Sequence, residues 1–249
     1  MFDAFETTLI SSARERAAAG AWADVLTLLA PHVDGIGPSG EFAVLYGEAL
    51  TRLGREREAY DWLRSAEPEL AANDDRAHHR RAVNLLGVAS FAIGKLDEAN
   101  SAFSWALDLA AQSDDVLLLA RASNNLGTIA NLQGQYEGAL SHYRLALPSY
   151  QRIGQRRGLA ETYHNMAITF RDLGEFEQAD EQESRAIEYA ADGIAPRVSA
   201  MGRVGRAEIH AIERELDVDD ADVIACGCGH RHGARDRRAG GGGRDRGRG

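Results

Sequence analysis

The chain has 249 residues, 44% of them hydrophobic, two cysteines and a formal charge of −10. That apolar share suffices to bury a core and excludes global disorder, and cysteines as close as Cys226 and Cys228 exclude a disulfide-stapled fold. Charge is unevenly placed: residues 230–249 hold seven arginines and two aspartates, leaving −15 on residues 1–229, which argues against nucleic acid as the partner of the body.

Ala, Leu, Glu and Arg dominate, proline is scarce and alternating β-branched runs are absent, so the sequence predicts an all-α chain. The start, Met1 to Glu6, is acidic and does not read as a signal peptide. No apolar run approaches the roughly 20 residues that span a bilayer. The expectation is a cytoplasmic protein without membrane association.

In chain order, Ala13, Ala17, Gly20, Trp22, Val25 and Leu29 mark a first helix pair. A second has Tyr46, Gly47 and Leu50 before Gly54, then Ala59, Leu63 and Ala66. The third has Val83, Leu86, Gly87 and Ser90 before Gly94, then Ala99, Phe103 and Ala106. The fourth runs through Leu126, Gly127 and Ala130 to Gly134, then Ala139, Tyr143 and Ala146. The fifth has Tyr163, Met166, Ala167 and Phe170 before Gly174, then Ala179 and Ala186.

Gly54, Gly94, Gly134 and Gly174 are spaced 40 residues apart, whereas Gly20 precedes Gly54 by 34. Such regularity means one unit copied in tandem. These glycines read as left-handed helix stops. Gly47, Gly87 and Gly127 instead fall inside helices, where each costs about 1 kcal/mol relative to alanine. Their shared phase predicts close backbone approach, with the alanines of the second helix packed against the first. The six extra residues of the longer period fall at "SDD" (Ser113–Asp115) and "GQRRG" (Gly154–Gly158), read as caps or turns. Pro148 is expected to interrupt and kink its helix.

Pro196 starts another first helix, over about 197–215. Its turn glycine would fall at Arg214, and the pattern stops there. Residues 1–215 therefore read as the array, and 216–249 as a disordered Gly/Arg-rich tail, explained by a shifted reading frame.

The segments "NNLGTIANLQGQYEGALSHYRLAL" (Asn124–Leu147) and "HNMAITFRDLGEFEQADEQESRAI" (His164–Ile187), with weaker copies over about residues 6–212, resemble the tetratricopeptide repeat. Ser90, Glu183 and Pro148 depart from the pattern. The longer period is similar to arrays of bacterial regulators and kinesin light chains. The resemblance implies a right-handed α-solenoid of antiparallel helix pairs, a superhelix whose concave face is lined by first helices.

On those helices, the residues facing away from the core partner are Arg81, Asn84, Val88 and Phe91, then Arg121, Asn124, Asn125, Thr128 and Asn131, then Glu161, His164, Asn165, Ile168 and Arg171. Asparagine is a poor mid-helix residue. Two readings explain its recurrence. The amides hold a peptide backbone while Arg clamps a carboxylate, or they bridge neighbouring repeats. Family members that grip peptide C-termini use Lys, Asn and Arg in a carboxylate clamp. Arg121, Asn124, Asn125 and Asn165 match it loosely, and Glu161 stands where a cation would help.

No phosphate loop, zinc-protease motif or nucleophile elbow occurs, and no enzyme or cofactor is expected. His78 and His79 read as a solvated face. Cys226, Cys228, His230 and His232 are weak metal candidates, too tightly spaced to close a tetrahedron. The favoured function is a non-catalytic protein- or peptide-binding scaffold. The alternatives are a regulatory sensor module of a signalling or transcription-control system, and tail-mediated RNA or metal binding.

Overall fold

The computed structural model describes residues 4–37, 40–73 and 75–228, with side chains of the last helix through 212 and at 214. The described residues through 206 form one unit and those from 207 on another. Among the described residues there are α-helices, one 3-10 turn and no strand.

Five antiparallel pairs follow one another. They are α1 (Ala4–Ala18) with α2 (Trp22–Leu29), then, after the one-turn α3 (Val33–Ile36), α4 (Gly40–Arg52) with α5 (Glu56–Ala72). Next come α6 (Arg76–Ala92) with α7 (Leu96–Ser113), α8 (Val116–Leu132) with α9 (Tyr136–Arg152), and α10 (Arg156–Asp172) with α11 (Phe176–Tyr189). The last helix, α12, spans Pro196–Cys228. From α4 to α11 each helix packs on its successor, and the first helices α4, α6, α8 and α10 also adjoin in order.

The turn within each pair is the one the spacing predicts. Gly54, Gly94, Gly134 and Gly174 have φ of +71, +80, +72 and +78°. The residue after each donates its backbone N–H to a carbonyl five residues back, as in Lys95 to Ser90 at 2.9 Å and Gln135 to Ala130 at 2.9 Å. That bond satisfies a carbonyl the ending helix would otherwise leave open. The longer period is spent mainly on the second helices. α7 continues to Ser113, where Asp114 takes the left-handed conformation at φ +52°, and α9 continues to Arg152. Asp115 then caps α8, its carboxylate accepting from the Leu118 N–H at 3.0 Å.

The mid-helix glycines do mark close approach, but large side chains rather than alanines make it. A Cβ on Gly47, Gly87 or Gly127 would lie 2.5, 2.6 or 2.5 Å from Leu63, Phe103 or Tyr143. Those three side chains are at most 2% exposed. α5, α7 and α9 thus each press one large buried residue onto bare backbone, flanked by small buried alanines such as Ala99, Ala106, Ala139 and Ala146.

Three expectations need correction. Pro148 does not interrupt α9, and Pro68, at the same repeat phase, lies inside α5. His78 and His79 are not a solvated face: His79 is buried with Nε2 2.9 Å from Glu67, and His78 bonds the Asp75 carboxylate at 2.8 Å. α12 runs past Arg214, since neither glycine nor proline occurs between residues 206 and 226, and so includes 216–228, assigned above to the tail. Residues 229–249, with His230 and His232, lie outside the described residues.

Two glycine-to-alanine changes separate close approach from helix propensity. Gly138→Ala, on the exposed side of α9 with its nearest neighbour 3.8 Å away, is expected to stabilise by about 0.5–1 kcal/mol. Gly127→Ala is expected to destabilise by about 1–3 kcal/mol, because the Tyr143 ring has nowhere to retreat. Urea unfolding of both variants checks the opposite signs.

Candidate functional site

Several of the residues expected to face a ligand bond neighbouring repeats to each other. On α8 and α10 the amides form a ladder. The Asn165 Nδ2 donates to Asn124 Oδ1 at 3.3 Å and to Thr128 Oγ1 at 3.5 Å. The Thr162 hydroxyl lies 3.0 Å from the same Asn124 oxygen. One turn on, the Thr169 hydroxyl donates to Asn131 Oδ1 at 2.6 Å, and Asn131 Nδ2 donates to Asp172 at 3.3 Å. Asn124, Thr128, Asn131 and Asn165 thus all take part in hydrogen bonds between α8 and α10. A mid-helix asparagine is tolerated because its amide spans the gap between helices that neither backbone can cross.

Other candidates turn inward. Asn84 is 7% exposed, and its Oδ1 is buried with no partner. Phe91 is half-buried and packs with Val88 against Phe103, Leu126 and Ile129. His164 is 8% exposed, with Nδ1 2.9 Å from Glu183 and Nε2 buried without a partner. Glu183 stands at the phase of Phe103 and Tyr143, and the paired position is Ala167 rather than glycine. Its carboxylate instead faces Gly202 and Gly205 of α12, where a Cβ would lie 2.9 and 2.7 Å from it. Arg171 lies 3.5 Å from the Asp172 carboxylate.

What stays open is a groove lined by Arg52, Leu117, Arg121, Asn124, Asn125, Tyr150, Gln155, Arg157, Gly158 and Glu161. Its charges are not equally available. Arg52 and Arg81 both bond Glu48, at 3.2 and 3.1 Å, and Arg157 bonds Glu161 at 2.9 Å. Arg121 is exposed and makes no ion pair among the described residues. Asn125, half-exposed beside it, is bonded to none of the ladder residues. Tyr150 forms the floor, its ring so close to Gly158 that a Cβ there would lie 2.4 Å away. Burial pushes its phenol up to about 12, against the opposing pull of Arg121. At neutral pH it is thus an uncharged hydroxyl.

A second cleft, of about 450 Å³, opens between α10 and the start of α12, lined on one side by Arg157, Glu161, His164 and Asn165. Its other wall is Ile194, Ala195, Pro196, Arg197, Val198 and Met201. Sequence reasoning missed Arg52, Tyr150, Arg157, Arg197 and Met201. Arg157 and Arg197 carried a signal, being 40 residues apart in the repeat phase. Among the described residues no group of acidic, His or Cys side chains is placed to hold a metal ion.

The ladder and the open groove separate by mutation. Asn124→Ala, which removes the oxygen shared by Thr162 and Asn165 while leaving them Gly158 O and Thr128 Oγ1, is expected to destabilise by about 1 kcal/mol. Asn125→Ala is expected to stay within about 0.5 kcal/mol of the unaltered chain. Chemical denaturation of the two variants checks both values.

Residues 118–192 match the family model of the tetratricopeptide repeat. No curated protein matches the chain. Among solved structures it is similar to BtubC (BKLC) from P. vanneervenii, with 20% identity and a TM-score of 0.60 over 99% of this chain and 100% of that one. It is also similar to a thermophilic TPR protein of Thermus thermophilus, with 17% identity and a TM-score of 0.61 over 80% and 98% of the two chains. Aspartyl phosphate phosphatase F from Bacillus subtilis gives 18% identity and a TM-score of 0.60 over 74% and 50%. At such identities the likeness is one of fold. The fold is generally a non-catalytic one that binds proteins or peptides. No helix among the described residues is long and apolar enough to cross a membrane. Phased turn glycines, antiparallel pairs and the match over residues 118–192 together make this chain similar to the tetratricopeptide-repeat proteins in fold.

Proposed function

We propose that the chain is a non-catalytic scaffold that holds an extended segment of a partner protein on the face built by α8 and α10. The observation that carries this reading is the state of Arg121. It is a guanidinium in a groove, between a buried uncharged phenol and a half-exposed amide, with no carboxylate of its own chain paired to it. A scaffold with acidic residues to spare, −15 over residues 1–229, leaves this cation unmatched. An incoming carboxylate or backbone carbonyl supplies the missing acceptor, and Asn125 offers both a donor and an acceptor to a peptide unit.

The asparagines that bond across the repeats serve the same end indirectly. By fixing α8 against α10 they hold the groove walls in one geometry before a ligand arrives, which lowers the ordering cost of binding. His164 and Phe91, named above among the ligand-facing residues, are supports for the face rather than contacts on it.

Selection of random peptides displayed on phage against the full chain tests the reading. Arg121→Glu is expected to keep its unfolding midpoint, since the side chain is exposed and unpaired, and to lose selected peptides by at least about ten-fold, roughly 1.4 kcal/mol. Equal affinity of the two proteins for the same peptides contradicts this placement.

A further inference from the structure

The face changes character at its last step. Met201 stands at the repeat phase of Arg81, Arg121 and Glu161, and Val204 at that of Asn84, Asn124 and His164. Where the earlier helices present charges and amides, α12 presents two apolar side chains, 43% and 58% exposed. Met201 forms one wall of the 450 Å³ cleft with Ile194 and Val198. That volume falls in the range of small-ligand pockets, about 300–1,000 Å³. An unbranched thioether in the wall adapts to apolar groups of different shape.

We propose that this cleft anchors a bulky apolar side chain of the bound segment, with a neighbouring carboxylate of the same segment paired to Arg197. The proposal rests on the peptide-holding reading above and adds a second subsite to it. Arg197 lines the cleft and makes no ion pair among the described residues, whereas Arg157 already holds Glu161, the cleft's one carboxylate. The cleft therefore carries one unmatched positive charge beside an apolar wall. Charge sign disfavours the chain's own residues 230–249, whose net +5 would meet Arg197 with like charge.

The two subsites are adjacent. Arg157 and Glu161 line both the Arg121 groove and this cleft, and their ion pair is the partition between them. An extended segment advances about 3.3 Å per residue and points alternate side chains to one side. The anchor and the group that meets Arg121 are thus expected two to four residues apart, on a segment that crosses the partition.

The phage selection gives the test, read with Met201→Glu and Arg197→Glu. Both side chains are exposed, and circular dichroism and thermal melting establish that each variant folds. Selected peptides are expected to share one bulky apolar residue with Asp or Glu nearby. Met201→Glu should weaken them by at least about ten-fold, and Arg197→Glu should weaken acidic peptides more than their amide versions. Peptides that share no apolar residue, or that bind Met201→Glu as before while losing Arg121→Glu, overturn the anchor and leave the groove reading intact. Failure to select any peptide overturns both. Displacement of the peptides by a synthetic copy of residues 229–249, or a Met201→Glu effect confined to sedimentation mass, assigns the cleft to the tail or to a second copy and equally overturns the proposal.

Discussion

The stack depends on one contact, repeated: a large side chain of the second helix seated on the backbone of a glycine in the first. Gly47 with Leu63, Gly87 with Phe103 and Gly127 with Tyr143 leave no room for even a methyl group. Each glycine weakens its helix by about 1 kcal/mol. Burial of a whole Leu or Phe side chain contributes about 1.5–3 kcal/mol, which decides the balance. The alanines at the repeat positions are the consequence, since helices drawn this close tolerate only small residues around the contact.

In the fifth pair that contact changes. Ala167 replaces the glycine and Glu183 the aromatic, so the carboxylate cannot be seated in the same way. It is buried at 2% exposure, bonded to His164, and covered by Gly202 and Gly205 of α12. The glycine is thus transferred to the next helix. Arg206 of α12 bonds Asp180 at 2.6 Å, a polar residue at the phase where Leu86, Leu126 and Met166 stand. α12 thus meets α11 through an ion pair at a position where the earlier first helices turn an apolar side chain to the preceding second helix.

Fold was readable because repetition amplifies weak signals. A single glycine says little, but four in phase, each followed by its alanines, leave one architecture. Function was less readable because the same residue types serve two ends. Asparagine at 124, 131 or 165 has the spacing of a ligand-facing residue and the hydrogen bonds of a bridge between helices, and those bonds depend on which polar groups the facing helix presents: Thr162, Thr169 and Asp172 for the first two, Asn124 and Thr128 for the third. Phe91 failed as a candidate for a similar reason: helical phase gives a direction but not how far the neighbouring helix reaches. Arg121 makes no ion pair among the described residues because Glu161, the carboxylate across the groove, is held by Arg157, a fact about α10 rather than about its own helix. Arg52 was invisible because the side chains it joins in the groove lie far away in sequence.

Hydrogen–deuterium exchange on the full chain, with and without a peptide obtained by selection, tests most directly the claim that one face of the repeats does the binding. The account predicts added protection in α8, α10 and residues 196–206, with the outward-facing turns of α7 and α9 unchanged. Protection confined to the second helices, or to residues beyond 228, would contradict it.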